Sequence, residues 1–413
     1  MQVKITHRDN CRLCSSKDLK LILSLTPTPV GDRYVTSEKI SIVQECHSLD
    51  FYVCRNCGLI ELLDIVEGGD VYVDYIYRTS DSLGLVSHFE SYANDLPPQN
   101  PILKDTLVID IGSNDGSFLR FFKNQGYKVL GIDPAREAAA IANQTGIETI
   151  NNFFTEELAK KIKRDYGTAN IVTANNTLAN IDDLQGFING IKEILAPNGI
   201  FAFETGYVYE LLNKKFFDYI YHEHISYFSV TPLQLFFQKN GLELVNVSVI
   251  PSKGGSIRCI VKRKNSSNKT MQSVDEMIKV EAILRKNVEK DFSDFSQELG
   301  KIKNQLSKTL DVLKSQGKKI AGYGASVGVT TMIYHFNLSS ALSFLVDDNT
   351  RRQGLYSPGL HIPVKSPDEI YKKKIDYVVI LAWMYSKPIM QKHKKFLEQG
   401  GHFIIPLPEL RII

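Results

Sequence analysis

Leu107-Val108-Ile109-Asp110-Ile111-Gly112-Ser113-Asn114-Asp115-Gly116 sets the architecture expected of this 413-residue chain. Its first five residues form a short apolar run closed by glycine, the pattern of a strand buried on both faces. A helix is expected over Ser117 to Asn124, and a second strand over Lys128-Val129-Leu130-Gly131-Ile132, ending at Asp133. Strand, glycine turn, helix, strand and acid is the layout of a nucleotide site: glycine lets a ligand approach the backbone, and the acid can bind ribose hydroxyls. The turn is not G-x-G-x-x-G. Ile171-Val172-Thr173-Ala174-Asn175-Asn176 reads as a further strand. It would put Asn175 and Asn176 at its carboxyl end, where open α/β sheets bind ligands.

Upstream, Pro97-Pro98-Gln99-Asn100-Pro101 punctuates the chain and predicts a boundary. Before it lies Tyr72-Val73-Asp74-Tyr75-Ile76-Tyr77-Arg78-Thr79-Ser80-Asp81-Ser82, readable as a half-buried strand or as a polar loop facing a substrate, and then a helix-like segment through His88 and Tyr92. Downstream, a strand at Gly199-Ile200-Phe201-Ala202-Phe203-Glu204 leads into Phe217-Asp218-Tyr219-Ile220-Tyr221-His222-Glu223-His224-Ile225-Ser226-Tyr227-Phe228-Ser229. Imidazole takes a proton near neutral pH, a carboxylate can orient the ring, and phenols can donate to a developing oxyanion, so this stretch is a candidate acid/base site. The competing reading is of satisfied core histidines among packing aromatics.

Two C-x-x-C pairs, Cys11 with Cys14 and Cys54 with Cys57, predict a closed tetrahedral zinc site of four thiolates, hence a structural zinc. Cys46 and Cys259 have no paired partner and are expected to pack. Between the knuckles no cluster of basic and aromatic residues occurs, and net charge is only +3, so nucleic acid is not expected as a partner. No apolar run reaches the roughly 18 residues that span a bilayer, and the N-terminus lacks an apolar signal core. A cytoplasmic protein with a small-molecule partner, no membrane association and a monomeric state is expected. From about Asn265 to Gln316 a Lys/Glu-rich connector carries helical apolar spacing at Met277, Val280, Leu284, Leu299, Ile302, Leu306 and Leu310. A second α/β unit follows: Lys319-Ile320-Ala321-Gly322-Tyr323-Gly324-Ala325-Ser326, then Leu342 to Asp348, then Tyr377 to Trp383. It reads as a nucleotide- or phosphate-binding half-fold or as a purely structural duplicate, with Arg351 and Arg352 meeting phosphate or solvent.

The turn at Asp110 to Gly116 resembles that of S-adenosylmethionine-dependent methyltransferases. A positively charged methionine portion suits carboxylates, whereas a diphosphate would need helix N–H groups. The order of zinc knuckles, this turn, Tyr221-His222-Glu223-His224, Gly254-Gly255-Ser256-Ile257-Arg258, Gly322-Tyr323-Gly324-Ala325-Ser326 and Asp347-Asp348 with Gln353-Gly354 and Ser357-Pro358-Gly359 resembles the nucleotide-sugar C-methyltransferases nearly end to end. That resemblance implies an α/β chain in three parts: a zinc-binding domain (1–80), a Rossmann-like S-adenosylmethionine methyltransferase domain (81–264), and a helical connector with a second Rossmann-like, nucleotide-sugar-binding domain (265–413). It implies a nucleoside-diphosphate 4-keto-6-deoxysugar substrate, deprotonated beside its ketone to an enolate that takes the methyl group.

By the same resemblance His224 is the base, oriented by Glu223, with Tyr221 or Tyr77 at the ketone oxygen. Asp110, Gly112, Ser113, Asn114, Asp115, Gly116, Asp133, Asn175 and Asn176 would hold the methyl donor. Tyr77, Ser80, Tyr207, His222, Gly324, Ala325, Ser326, Asp347, Arg351 and Trp383 would hold the sugar nucleotide. Two positions depart from the family: Asn180 stands where a histidine is common, and Ala325-Ser326-Val327-Gly328-Val329 lacks the usual lysine. A proton-transfer enzyme of epimerase type, or a zinc-containing nucleotide-sugar binding protein, are the alternatives.

Overall fold

Every residue of the strand Leu107–Ile111 is buried, and its place explains why: it lies inside a seven-stranded sheet with partners on both sides. The computed structural model describes residues 3–73, 77–82, 84–96, 106–264 and 272–413. The expected boundary at Pro97-Pro98-Gln99-Asn100-Pro101, residues Asp74-Tyr75-Ile76 and the start of the connector at Asn265 lie outside them. The sheet runs in the order Leu242–Ile250, Ser256–Arg263, Leu195–Gly206, Ala169–Thr173, Leu107–Ile111, Lys128–Ile132 and Thr149–Ile150. The last five are mutually parallel, and Ser256–Arg263 is antiparallel to both of its neighbours. Parallel strands buried on both faces account for the unbroken apolar runs. The helix Ser117–Asn124 buries Phe118, Leu119 and Phe122, and Phe118 stacks on Tyr92 and packs at a tilt on Phe89 of the helix Leu85–Asp95.

Among the described residues the N-terminal part forms a four-stranded sheet in the order Ser226–Tyr227, Ile60–Leu62, His47–Cys54 and Leu19–Thr28. Its first strand comes from the histidine-rich stretch, so that stretch is pinned to the N-terminal part by Ser226 opposite Glu61 and Tyr227 opposite Ile60. Cys259 is buried as expected, but Cys46 is exposed and packs no core. The connector becomes the helices Gln272–Arg285 and Val288–Ser315. Leu299, Ile302, Leu306 and Leu310 are buried as their spacing predicts, and Phe292 packs on Phe51 of the N-terminal sheet, 5.8 Å between centroids. Val280 instead is about half exposed, and the neighbouring Glu281 turns inward. Its carboxylate accepts from the Val230 and Thr231 amides at 2.7 Å, capping the helix Val230–Lys239.

The C-terminal six-stranded sheet runs Val364–Lys365, Leu345–Val346, Ile320–Tyr323, Tyr377–Ile380, His402–Ile405 and Arg411–Ile412, parallel except for the final strand. The start of its helix Val327–His335 is wedged between the other two parts. Thr330 Oγ1 donates to the Gly31 carbonyl (2.9 Å) and Thr331 Oγ1 to the Ile220 carbonyl (2.8 Å). Gly328 lies so close to the histidine-rich stretch that a Cβ there would meet the Asp218 carbonyl oxygen at 2.2 Å. No helix among the described residues is long and apolar enough to cross a membrane.

Candidate active site

The carboxyl ends of the parallel strands, the histidine-rich stretch and the C-terminal glycine turn open on one cavity of about 1810 Å³. A single small-molecule pocket seldom exceeds about 1,000 Å³, so this one has room for two ligands.

At its methyltransferase-sheet end, Gly112 adopts φ +75°, and a Cβ there would strike Thr177 Oγ1 at 2.3 Å. Glycine is required. Asp110 is buried and accepts from Thr173 Oγ1 at 2.6 Å; burial outweighs that bond and pushes its carboxyl up to about 7, with a smaller push from Asp133. Asp133 accepts from the Ala135 and Asn114 amides, each at 2.8 Å, which fixes the acid at the strand end; burial raises it against those bonds. Asn175 Nδ2, Asn176 Oδ1 and Ser113 Oγ are buried without a protein partner, on residues that line the cavity. Buried polar atoms are seldom left unpaired, so these point to a polar ligand. Carboxylates and free amide groups are the donor set that suits the ammonium, carboxylate and ribose of S-adenosylmethionine, and the residues fit that cofactor.

Asn114 and Asp115 do something the sequence did not reveal. Asn114, at φ +51°, accepts from the Thr79 amide (2.8 Å) and donates to the Tyr77 carbonyl (3.1 Å), and Asp115 accepts from the Ser80 amide (3.0 Å). These two side chains hold the segment 77–82 over the turn. That segment is a loop with a 3-10 turn, Thr79–Asp81, rather than a strand. Asp115 and Gly116 do not line the cavity.

In the histidine-rich stretch, His224 Nδ1 lies 3.3 Å from the Tyr219 carbonyl and Nε2 lies 2.9 Å from the Tyr221 hydroxyl. A carbonyl only accepts, so Nδ1 carries the hydrogen and Nε2 accepts from Tyr221 O–H. Burial, reinforced by the Lys253 ammonium and opposed by the Tyr219 carbonyl, holds this imidazole down at about 3. Glu223 was expected to orient the ring, but the ring nitrogens meet Tyr219 and Tyr221, and neither Glu223 oxygen has a hydrogen-bond partner; its carboxyl feels the charges of Asp32 and Arg352. Burial, then Asp32, pushes it up to about 8. His222 Nε2 meets the His47 carbonyl at 3.3 Å, Nδ1 is unpartnered, and burial lowers this ring to about 4. Tyr77 lines the same cavity, its hydroxyl accepting from Ser82 Oγ at 2.8 Å. Asn180, also cavity-lining, leaves Oδ1 unpartnered.

Toward the C-terminal sheet, Gly324, Ser326, Asp347 and Trp383 line the cavity, and Ala325 does not. The Ala325 amide donates to Asp347 at 2.6 Å and the Asn349 amide at 2.8 Å, repeating the arrangement around Asp133. Trp383 Nε1 donates to both oxygens of Asp218 at 3.1 Å; burial still pushes that acid up to about 7. Two residues expected to contact the substrate have protein partners in this structure. Tyr207 is buried with its hydroxyl on Glu281 at 3.0 Å, outside the cavity, because the connector helix supplies an acceptor beneath it. Arg351, its side chain 25% exposed, pairs with Glu137 of the helix Arg136–Gln144, which also takes Arg78, joining loop, methyltransferase part and C-terminal part. Arg352, buried beside the cavity, pairs with Asp32 at 2.6 Å and lies over the Tyr34 ring.

The four knuckle cysteines bring their sulfurs within 4.8 Å of one another, with Cys11 to Cys57 and Cys14 to Cys54 at 3.5 Å. A tetrahedral zinc with bonds of about 2.3 Å needs sulfurs about 3.8 Å apart, so this closed set fits zinc and leaves no position for water.

Family models match three successive segments: a zinc binding domain over 11–72, a methyltransferase domain over 89–247 and a C-methyltransferase C-terminal domain over 251–408. The chain is 32% identical to the C-methyltransferase NovU of Streptomyces niveus, over 100% of this chain and 99% of that protein. Among solved structures it is similar to an S-adenosylmethionine-dependent methyltransferase from Clostridium acetobutylicum (11% identity, 44% of this chain and 92% of that one, TM-score 0.36). It is also similar to the PH0226 protein of Pyrococcus horikoshii (16%, 46% and 95%, TM-score 0.37).

Proposed function

Since this chain belongs to the C-methyltransferase family, with S-adenosylmethionine and zinc as its cofactors, we propose that it methylates a nucleoside-diphosphate 4-keto-6-deoxysugar at the carbon beside the ketone, with His224 as the base. The observation that carries this reading is the Tyr221–His224 contact inside a cavity shared with the Asp110 to Asp133 turn. We read the division of labour as zinc-binding part (1–80), methyl-donor part (81–264) and sugar-nucleotide part (265–413).

S-adenosylmethionine, when bound, supplies an electrophilic methyl group. The protein's task is to make the sugar carbon nucleophilic. A neutral His224 has its only free lone pair on Nε2, and Tyr221 O–H occupies it. A ketone oxygen entering beside Tyr221 offers that hydroxyl another acceptor. Rotation of one O–H then frees Nε2 to take the proton and places a donor on the oxygen that becomes the enolate. The Tyr219 carbonyl keeps Nδ1–H in place and stabilises the imidazolium that forms. Tyr77, whose hydroxyl oxygen accepts from Ser82, lines the same cavity and would turn its hydroxyl toward the same oxygen. The low basicity of His224 is offset by the substrate, whose diphosphate brings negative charge into the cavity that holds Lys253.

Asp347 and the Gly324 to Ser326 turn would receive the nucleotide. The test is a panel of sugar nucleotides incubated with full-length protein and methyl donor. A gain of one methylene on 4-keto-6-deoxysugars, absent for the corresponding 4-hydroxy sugars, is expected. Methylation of hydroxy sugars alone would overturn the reading.

A further inference from the structure

Lys253 is a cation that lines the cavity. It sits in the left-handed region at φ +47°, ψ +41°, which a lysine backbone seldom adopts. Its surroundings impose that conformation. Gly254 and Gly255 follow at φ +88° and +131°, packed so closely that a Cβ on the first would strike the Phe216 ring at 2.3 Å and one on the second the Glu210 Cβ at 2.6 Å. Lys214 Nζ binds the Gly254 carbonyl at 2.8 Å. The loop is thus locked, and the strain is spent on aiming one side chain. Lys253 Nζ lies 5.0 Å from the Tyr77 ring centroid, and the residue lines the cavity with His224 and Tyr221. No carboxylate among the described residues pairs with it. An ammonium that lines a ligand cavity without a carboxylate partner is placed to meet an anionic ligand.

Two anions could meet it: the diphosphate of the sugar nucleotide or the oxygen of the enolate. The position favours the second, because the ammonium lies over the Tyr77 ring and its charge is felt at His224, while the nucleotide is assigned above to the Gly324 to Ser326 turn. We infer that Lys253 is a catalytic residue whose ammonium stabilises the enolate oxygen as His224 removes the neighbouring proton. This rests on the ketosugar reading above. Its charge also disfavours imidazolium, so the device gains only if the ammonium sits nearer the oxygen than the ring. That arrangement gives a rate term without adding ground-state affinity, because charge on the oxygen exists only after proton removal.

The test separates proton removal from binding. Full-length protein is incubated in D₂O with a nucleoside-diphosphate 4-keto-6-deoxysugar and S-adenosylhomocysteine, and deuterium entering the sugar is followed by mass spectrometry. Native protein, Lys253→Met, Lys253→Arg and His224→Asn are compared, with sugar-nucleotide affinity and melting temperature measured for each. The expected result is an exchange rate about a hundredfold lower in Lys253→Met, partial recovery in Lys253→Arg, and sugar-nucleotide affinity within about threefold of native. Native exchange in Lys253→Met overturns the inference and leaves the ketosugar reading standing. A loss of affinity with unchanged exchange from the bound complex also overturns it, assigning Lys253 to the diphosphate. Absence of exchange in the native protein removes the enolate reading and this inference together.

Discussion

Adding one methyl group at Gly328 is predicted to separate the C-terminal part from the catalytic stretch. The Cβ of Gly328→Ala would stand 2.2 Å from the Asp218 carbonyl oxygen, a backbone atom that no rotamer change can move. Ordinary contact begins near 3.4 Å, so the helix Val327–His335 and the stretch around Phe217–Tyr219 must part by about 1 Å. Overpacking of this kind costs about 1–3 kcal/mol. Part of that cost falls on the Thr331 bond to the Ile220 carbonyl and on the two Trp383 bonds to Asp218. The rest falls on function, since Tyr219, next to Asp218, holds His224 Nδ1, and a 1 Å misplacement of a catalytic group can cost about a hundredfold in rate. The methyl-donor end is built from other elements and should not notice. The assay is methyl transfer alongside calorimetric titration with S-adenosylmethionine. Expected are a rate about a hundredfold lower, a lower melting temperature and native cofactor affinity. Native rate and native melting temperature in Gly328→Ala would refute the argument that this junction positions His224.

Tyr221→Phe keeps the ring but removes the hydroxyl that gates Nε2 and serves the oxyanion; methyl transfer should fall by about a hundredfold with S-adenosylmethionine affinity unchanged, and a native rate would discard the switch. Glu223 binds its proton more tightly folded, at about 8, than its ordinary 4.5, so its stabilising share is complete below pH 4.5 and is lost as pH rises toward 8. Within that window the slope is about 1.4 kcal/mol per pH unit, so between pH 6 and 7.5 Glu223→Gln should remove a decline of about 2 kcal/mol, read from denaturant midpoints; an unchanged pH slope would count against the burial described. Elemental analysis should find about one zinc per chain, and Cys54→Ser or strong chelation should release it and lower the melting temperature; a chain that keeps its stability without metal would show that the knuckles are not a folding site.

Local features were legible in the sequence and the ties between distant segments were not. The strand Leu107–Ile111, the turn at Gly112 and the acid at Asp133 follow from contiguous residues whose apolar pattern and glycine needs are intrinsic. The cysteine pairs were legible for the same reason, because two-residue spacing already presents both sulfurs to one ion. Glu223 and His224 look like a pair in sequence, yet His224 meets Tyr221, and Glu223 feels the charges of Asp32 and Arg352. Tyr207 shows the opposite limit: its hydroxyl is claimed by Glu281, seventy-four positions away, on the helix Gln272–Arg285. Asn114 and Asp115 occupy a cofactor-type turn but spend their side chains on the loop above it, which no local pattern signals. Lys253 was missed because a single lysine before two glycines carries no motif; its left-handed backbone is the signal, and only coordinates reveal it.

The most direct test of the account follows a ¹³C-labelled methyl group from S-adenosylmethionine into a nucleoside-diphosphate 4-keto-6-deoxysugar by nuclear magnetic resonance, with native protein and with His224→Asn. The account predicts a labelled methyl coupled to the ring carbon beside the ketone in the native reaction, and none in His224→Asn although its cofactor affinity is retained. A labelled methyl on oxygen, or undiminished carbon methylation by His224→Asn, would contradict it.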